Sequence, residues 1–340
     1  MAPSPTSLIY EHNAGPIQRH LERHDVTELV INGPGMIGLE TRAGWEWHAE
    51  PALDNAALST LAKLIAGLTK QDINSEYPIC SSVLPGGERA QVVVPPAVEQ
   101  GCISITIRKA SGVTMDIDDF ERTGLFSEVR AHGLHADVDG ELLKHRHAGN
   151  WKAFFKLAVE ARKNILISGA TGSGKTSFSK GLIKLIPDYE RILTIEDTRE
   201  LVVPQRNHVH MMYAKDRKSL QKAGVKELLE SALRMRPDRI LLQELRDGTA
   251  FFYLRNVNSG HPGSITTVHA NTAEGALEQL TLLVKESEGG NDLDRHDIRT
   301  LLRSLVDIVV QMHRLPPGEG RPARYRMTEV WFDPPSRPND

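Results

Sequence analysis

In the first part of the chain, short β-rich runs of apolar residues alternate with polar and glycine turns, and this pattern predicts strands. TELVIN (residues 27–32) and GLETR (38–42) read as two of them. Gly33, Pro34 and Gly35 mark the turn between. GWEWHAE (44–50) continues the meander. A helical period then sets in: Leu58, Leu61, Ile65 and Leu68 fall on one face of a helix over residues 55–68. SSVLPGGERAQVVVPP (81–96) holds two more strands joined at Gly86 and Gly87, and CISITIRK (102–109) holds a third. Residues 1–110 therefore read as one α+β domain. Over 111–150 the pattern loosens into charges, glycine and four histidines (His132, His135, His145 and His147), which reads as a linker with a short helix or two. From Trp151 on, helix and strand patterns alternate. WKAFFKLAVEARK (151–163) is an amphipathic helix, and NILISG (164–169) is a short buried strand. Such alternation predicts an α/β domain with a mostly parallel sheet over residues 151–340.

Composition narrows the class. Of 340 residues, 40% are apolar and 25% charged, which suffices for packed cores in two domains. A formal net charge of −3 gives no bulk attraction to nucleic acid. The two cysteines, Cys80 and Cys102, are too few for a disulfide framework or a four-cysteine zinc site. The amino terminus has no basic region followed by an apolar stretch, and no run approaches the length of a membrane span. A cytoplasmic protein is expected, with attachment to a membrane surface left open. The histidines of 111–150 have spacings that can bind metal, but no cysteine supports them and the segment is polar, so a solvated linker is the preferred reading.

GATGSGKT (169–176) fits G-x-x-x-x-G-K-[ST], with a strand before it and a helix after it. Gly169, Ala170, Thr171, Gly172, Ser173 and Gly174 would turn backbone N–H groups toward phosphate oxygens. Lys175 would reach the β- and γ-phosphates of ATP, and Thr176 would ligate Mg²⁺. Two later strands end in acids: RILTIEDTREL (191–201) in Glu196 and Asp197, and DRILLQELRD (238–247) in Glu244. A carboxylate there can hold Mg²⁺ through water or orient the attacking water; it can also be a strand-end charge facing solvent. GHPGSITTVHAN (260–271) places His269 at a strand-to-helix junction, with Asn271 and Glu274 as a capping box for the next helix. Whether His269 senses phosphate or only orders its loop stays open at this point.

Together, GATGSGKT, TIEDTREL, LRMRPDRILLQELRD and SGHPGSITTVHAN resemble, in that order, the traffic ATPases of bacterial type IV secretion systems, within the wider secretion-ATPase superfamily. SSVLPGGERAQVVVPP and ISITIRK resemble the amino-terminal domain of that family, and the likeness runs from about residue 25 to 333. The resemblance implies a RecA-like carboxy-terminal domain, nucleotide between the two domains, and a homohexameric ring at the cytoplasmic face of the inner membrane. Its partners would be other secretion components and a protein or protein–DNA substrate. Glu196 would belong to the Asp box, and Glu244, in the Walker B box, would prepare water. His261 and His269 would sense the γ-phosphate, and Arg89, Arg108 and Arg234 would contact phosphate. Gln243 and Asp247 depart from the small residues more usual at their positions, and Asp247 would add charge near the site. A guanidinium on the equatorial oxygens of a transferring phosphoryl group accelerates reaction roughly a thousandfold or more. If Arg89 and Arg108 come from another domain, that domain has to close for catalysis.

Competing readings have less support. A pilus assembly or retraction ATPase of the same superfamily is the near alternative, although type II assembly relatives often carry a four-cysteine zinc module. A small-molecule P-loop kinase leaves residues 1–110 without a role. A DNA-binding module switched by ATP is opposed by the slight acidity and by the lack of a basic, aromatic-interleaved stripe. TKQD (69–72) precedes the P-loop and cannot be a GTPase base-reading motif, and no LSGGQ-like signature occurs. MYAKDRKSLQKAGV (212–225) reads as a solvated loop or short helix.

Overall fold

Two sheets, one antiparallel and one almost wholly parallel, organise the chain. The computed structural model describes residues 5–110, 116–127, 129, 138–214, 223–258, 260–287, 289–318 and 324–334. The amino-terminal sheet contains β1 (Glu28–Ile31), β2 (Met36–Thr41), β3 (Gly44–Ala49), β4 (Ile79–Val83), β5 (Arg89–Val93) and β6 (Ser104–Arg108), in the order β3-β2-β1-β6-β5-β4. Alternation gives its two faces different chemistry. Leu29, Ile31, Ile37, Leu39, Val92, Ile105 and Ile107 point to one side. There they pack under α1 (Pro5–Asn13), α2 (Gly15–Leu21) and α3 (Asn55–Leu68). The helix predicted over 55–68 thus forms with those bounds, and the Asp54 carboxylate accepts from Ala57 N–H at its start. The other face is polar. Register sets Arg89 opposite Arg108, Arg108 opposite Glu28, and Glu28 opposite Glu40, in one row across four strands.

After the short α4 (Ile117–Arg122), which buries no residue, come α5 (Val138–His147) and α6 (Trp151–Glu160). Leu142 of α5 is buried in one core with Phe154 and Ile165, so this helix belongs to the second domain rather than to the linker expected over 111–150. The sequence VDGELLKHRH has one buried residue, too few for periodicity to reveal it. His145 and His147 lie on α5; His132, His135 and the basic stretch 215–222 fall outside the described residues.

The second domain continues with β7 (Ile165–Gly169), α7 (Lys175–Ile183), β8 (Ile192–Glu196), β9 (His208–Met212), α8 (Val225–Ala232), β10 (Arg239–Leu242) and α9 (Thr249–Asn258). It ends with β11 (Ile265–Val268), α10 (Ala273–Lys285), α11 (Arg295–Leu305), β12 (Ile308–Leu315) and β13 (Arg324–Phe332). β10-β8-β9 and β11-β7-β12-β13 are joined by a parallel bridge between Glu244 and Thr267. All pairs are parallel except β12 with β13. Alternate residues serve opposite faces. Leu166, Ile195, Leu242 and Val268 pack under α8 to α11, while Ile165, Ile167, Leu241 and Val310 pack under α5 to α7. This is the three-layer arrangement expected of a RecA-like domain.

The polar face of the first sheet docks along the β9 edge of the second. Val98 bridges to Met211, and Met212 N–H donates to Ala97 O at 2.8 Å. Gln91 Nε2 donates to Ser231 Oγ at 2.8 Å, wholly buried. Arg191, fully buried, donates to Met235 O (2.8 Å), Asn32 Oδ1 (2.7 Å), Asn207 Oδ1 and Thr106 Oγ1 (3.2 Å), so one guanidinium ties strands of both domains together. Arg236 pairs with Glu40 across the same seam.

Candidate active site

The P-loop leaves the carboxyl end of β7 and enters α7. Gly172 (φ 73°) and Gly174 (φ 93°) take left-handed conformations that side chains disfavour, and Gly174 is the N-cap of α7. This folds the loop so that the first N–H groups of α7 and the helix dipole face one point. Lys175 is buried, and its Nζ donates to Gly169 O (2.7 Å) and Ala170 O (3.1 Å). Burial pulls its pKa below the ordinary lysine value, with Glu244 opposing and Arg246 reinforcing that pull. Thr176 follows in the first turn of α7, half-buried.

β11 and β10 bring two further groups to the same end of the sheet. His269 leaves β11 one strand away from β7, and its Nδ1 lies 3.4 Å from Lys175 Nζ. Its Nε2 lies 2.7 Å from Glu244 Oε1. Glu244 follows β10 and sits on the bridge that joins the two half-sheets. Arg246 NH2 donates to Glu244 Oε2 at 2.5 Å, and its NH1 donates to Asp197 Oδ2 at 2.7 Å. The bond to Glu244 is the main reason Arg246 is held above its usual pKa. A continuous chain of polar contacts runs Lys175–His269–Glu244–Arg246–Asp197. Arg246 has no place in the sequence reading. Its position two residues beyond Glu244, on the same side of an extended segment, is the signal that was available.

Several expected residues lie elsewhere. Glu196 ends β8, three strands from β7 in the order β8-β10-β11-β7, and is completely buried. Its carboxylate accepts from Thr194 Oγ1 (2.7 Å), Glu200 N–H (2.8 Å) and Leu201 N–H (2.7 Å), with His210 Nδ1 at 3.1 Å. Burial raises its pKa, but these hydrogen bonds outweigh it and hold the group below the usual carboxylate range. Glu196 therefore orders the 197–201 turn, and its neighbour Asp197 is the acid that meets the site. Asp247 accepts from Thr249 N–H at 2.9 Å at the start of α9, and it acts electrostatically on Tyr213 together with Asp197, Arg246 and Glu244.

His261 is at the wrong end of β11. Ile165, the first residue of β7, donates its N–H to Ser264 O, so residues preceding Ser264 flank the entry of the sheet while the P-loop leaves its exit. His261 faces Asp238, Arg236 and Arg162, and burial lowers its pKa. Arg89, Arg108 and Arg234 do come together, with Glu28 and Arg236, around a cavity of about 310 Å³ at the seam between the domains. Arg234 NH1 also donates to Glu230 O of the preceding helix α8 at 2.9 Å. This cavity too lies at the entry end, because Arg236 precedes β10 and Asp238 N–H donates to Arg191 O just before β8. The seam follows β9, four strands across from β7 in the order β9-β8-β10-β11-β7, roughly 19 Å at the usual strand spacing. Among the described residues of one chain, the seam between the two domains and the P-loop are at different places on the sheet.

A parallel sheet with a P-loop at its carboxyl edge, covered by a buried lysine, a histidine and a strand-end glutamate, defines a RecA-like ATPase. Residues 143–317 match the Type II/IV secretion system protein family, and the chain belongs to that family. Its relatives identify the branch. It is 52% identical over 331 residues to the type IV secretion system protein VirB11 of Bartonella henselae, covering 94% of this chain and 91% of that one. It is 40% identical over 324 residues to VirB11 of Brucella suis, with 94% and 89% covered. The crystal structure of the VirB11 ATPase from the Brucella suis type IV secretion system, in complex with sulphate, superposes with a TM-score of 0.89 at 39% identity, covering 97% of this chain and 96% of that one. The chain is a type IV secretion traffic ATPase that binds and hydrolyses nucleotide.

Proposed function

We propose that this ATPase is a homohexameric ring motor, peripheral on the cytoplasmic face of the inner membrane, that powers substrate transfer or pilus assembly by a type IV secretion system. Its substrate is a protein or protein–DNA complex handed on by other secretion components. The observation that carries the reading is the separation of two halves of one chemistry. Lys175, His269 and Glu244 gather over the P-loop, while Arg89, Arg108 and Arg234 gather at the opposite end of the same sheet. A ring of identical subunits brings one subunit's arginine cavity to the next subunit's P-loop.

On this reading Lys175 leaves the carbonyls of Gly169 and Ala170 for the phosphates. Glu244, held by Arg246, accepts hydrogen bonding from the attacking water, and His269 lies where it would contact the γ-phosphate. No trio of His, Cys, Asp or Glu among the described residues could hold a metal alone. That donor set fits Mg²⁺, which is commonly bound through phosphate oxygens and one or two protein oxygens; Thr176 would supply one, with Glu244 acting through water. When bound, Mg²⁺ would neutralise charge on the transferring group. No helix among the described residues is long and apolar enough to cross a membrane, which fits peripheral attachment.

Sedimentation velocity with a nonhydrolysable ATP analogue and Mg²⁺ should show an assembly of about six 37.7 kDa chains. Lys175→Ala should abolish hydrolysis, and Glu244→Gln should retain nucleotide binding while turning over at least about a hundredfold more slowly. A chain that stays monomeric at all concentrations would overturn the ring, and wild-type turnover in Glu244→Gln would overturn the role of that carboxylate.

A further inference from the structure

Past the last residue of β7, strand β12 keeps going. Its pairing with β7 ends at Met312 opposite Gly169, and residues 313–315 continue paired only with β13. This overhang forms a wall beside the P-loop. Arg314 and Tyr325 are direct cross-strand partners on it and so project from the same face. Both meet the P-loop at its left-handed glycines. The Tyr325 ring comes within 3.0 Å of where a Cβ on Gly174 would lie, and Arg314 NH1 within 3.8 Å of the same point on Gly172. The ring is 57% exposed despite this contact, so most of it faces outward. Arg314 is exposed, and no carboxylate of the described residues pairs with it.

An aromatic face and an unpaired guanidinium, held side by side on one wall of a phosphate-binding loop, at Gly174 and at Gly172, suit the two ends of a nucleotide. We propose that Arg314 and Tyr325 clamp the nucleotide, Tyr325 stacking on the base and Arg314 binding phosphate. The proposal rests on the reading of GATGSGKT as the phosphate site. The base is the only part of ATP with a π-face, and stacking on an aromatic side chain tolerates any base. The guanidinium serves phosphate by charge-assisted hydrogen bonds. The clamp belongs to one chain, so it would hold nucleotide before any neighbour contributes arginines.

Isothermal titration of the full chain with Mg²⁺ plus either ATP or inorganic tripolyphosphate separates the two roles. Tyr325→Leu should weaken ATP about tenfold or more while leaving tripolyphosphate within about twofold, and Tyr325→Phe should restore ATP. Arg314→Gln should weaken both ligands several-fold. Normal tripolyphosphate binding also certifies that a variant's P-loop is folded. Should Tyr325→Leu fail to fold, the wild-type chain tests the same point: ribose triphosphate lacking a base should bind about tenfold more weakly than ATP. Equal loss of both ligands in Tyr325→Leu would mean that the ring only supports α7, and unchanged ATP binding would also overturn the base contact. Unchanged binding of both ligands by Arg314→Gln would overturn the phosphate contact. A wild-type chain that binds neither ligand would instead overturn the P-loop reading beneath the proposal.

Discussion

Glu28 is a carboxylate in an unfavourable place. It is 3% exposed, its Oε1 has no hydrogen-bond partner, and Arg108 Nε stands 3.9 Å from its Oε2. Burial pushes its pKa up to about 7; Glu40 adds to the rise, and Arg108, Arg191 and Arg236 oppose it. A raised folded-state pKa means that the native chain holds this proton more tightly than the unfolded chain. Its stabilising effect is complete below pH 4.5 and lost as pH rises through 7. Glu28→Gln should therefore match wild type near pH 4.5 and exceed it by on the order of 3 kcal/mol above pH 7. Denaturant melts at several pH values check this, and a pH-independent difference would count against it. Single residues were legible in the sequence where a local pattern marks them. Lys175 stands in a motif, and Glu244 and His269 each stand where a strand runs out. Arg314 and Tyr325 were not, because what brings them to the P-loop is strand order: β12 lies beside β7 after more than a hundred intervening residues. His261 and His269 look alike in the sequence, but β11 carries them to opposite ends of the sheet.

At the level of elements, helix α10 shows how a near miss arises. Asn271 and Glu274 have capping-box spacing, yet the helix begins at Ala273 with Thr272 as N-cap, whose Oγ1 accepts from Gly275 N–H at 2.9 Å. Both readings obey the preference for polar side chains before a helix; only backbone conformation decides between adjacent candidates. Thr272→Ala should cost about 1 kcal/mol of stability and Asn271→Ala only a few tenths, as read from thermal melts of the two variants. If the larger loss fell on Asn271, the cap would be misplaced. Strands fared better than caps, since alternation fixes which face of β1, β2, β5 and β6 is apolar. The polar face that alternation leaves docks on the second domain through Gln91, Thr106 and Glu40, while Arg89 and Arg108 on it stay exposed.

At the scale of the whole molecule, the docked seam decides where motion and catalysis can occur. Arg191, buried and bonded to Asn32 and Thr106 of one domain and to Asn207 and Met235 of the other, cannot release its partners without leaving buried polar groups unpaired. The amino-terminal domain is therefore fastened to its own β9 edge, and closing it over its own P-loop would require breaking this cluster. Arg89 and Arg108, exposed on that fastened domain, have to serve another chain's P-loop if they serve any. A mixing experiment follows. Lys175→Ala disables only the P-loop, whereas Arg89→Ala with Arg108→Ala disables only the arginine cavity. Each should be nearly inactive alone. In rings assembled from equal amounts of both, about one interface in four joins an intact P-loop to an intact arginine cavity, so ATPase activity should recover to about a quarter of wild type. Arginines acting on their own chain's P-loop would give no recovery, because every subunit in the mixture carries one defect.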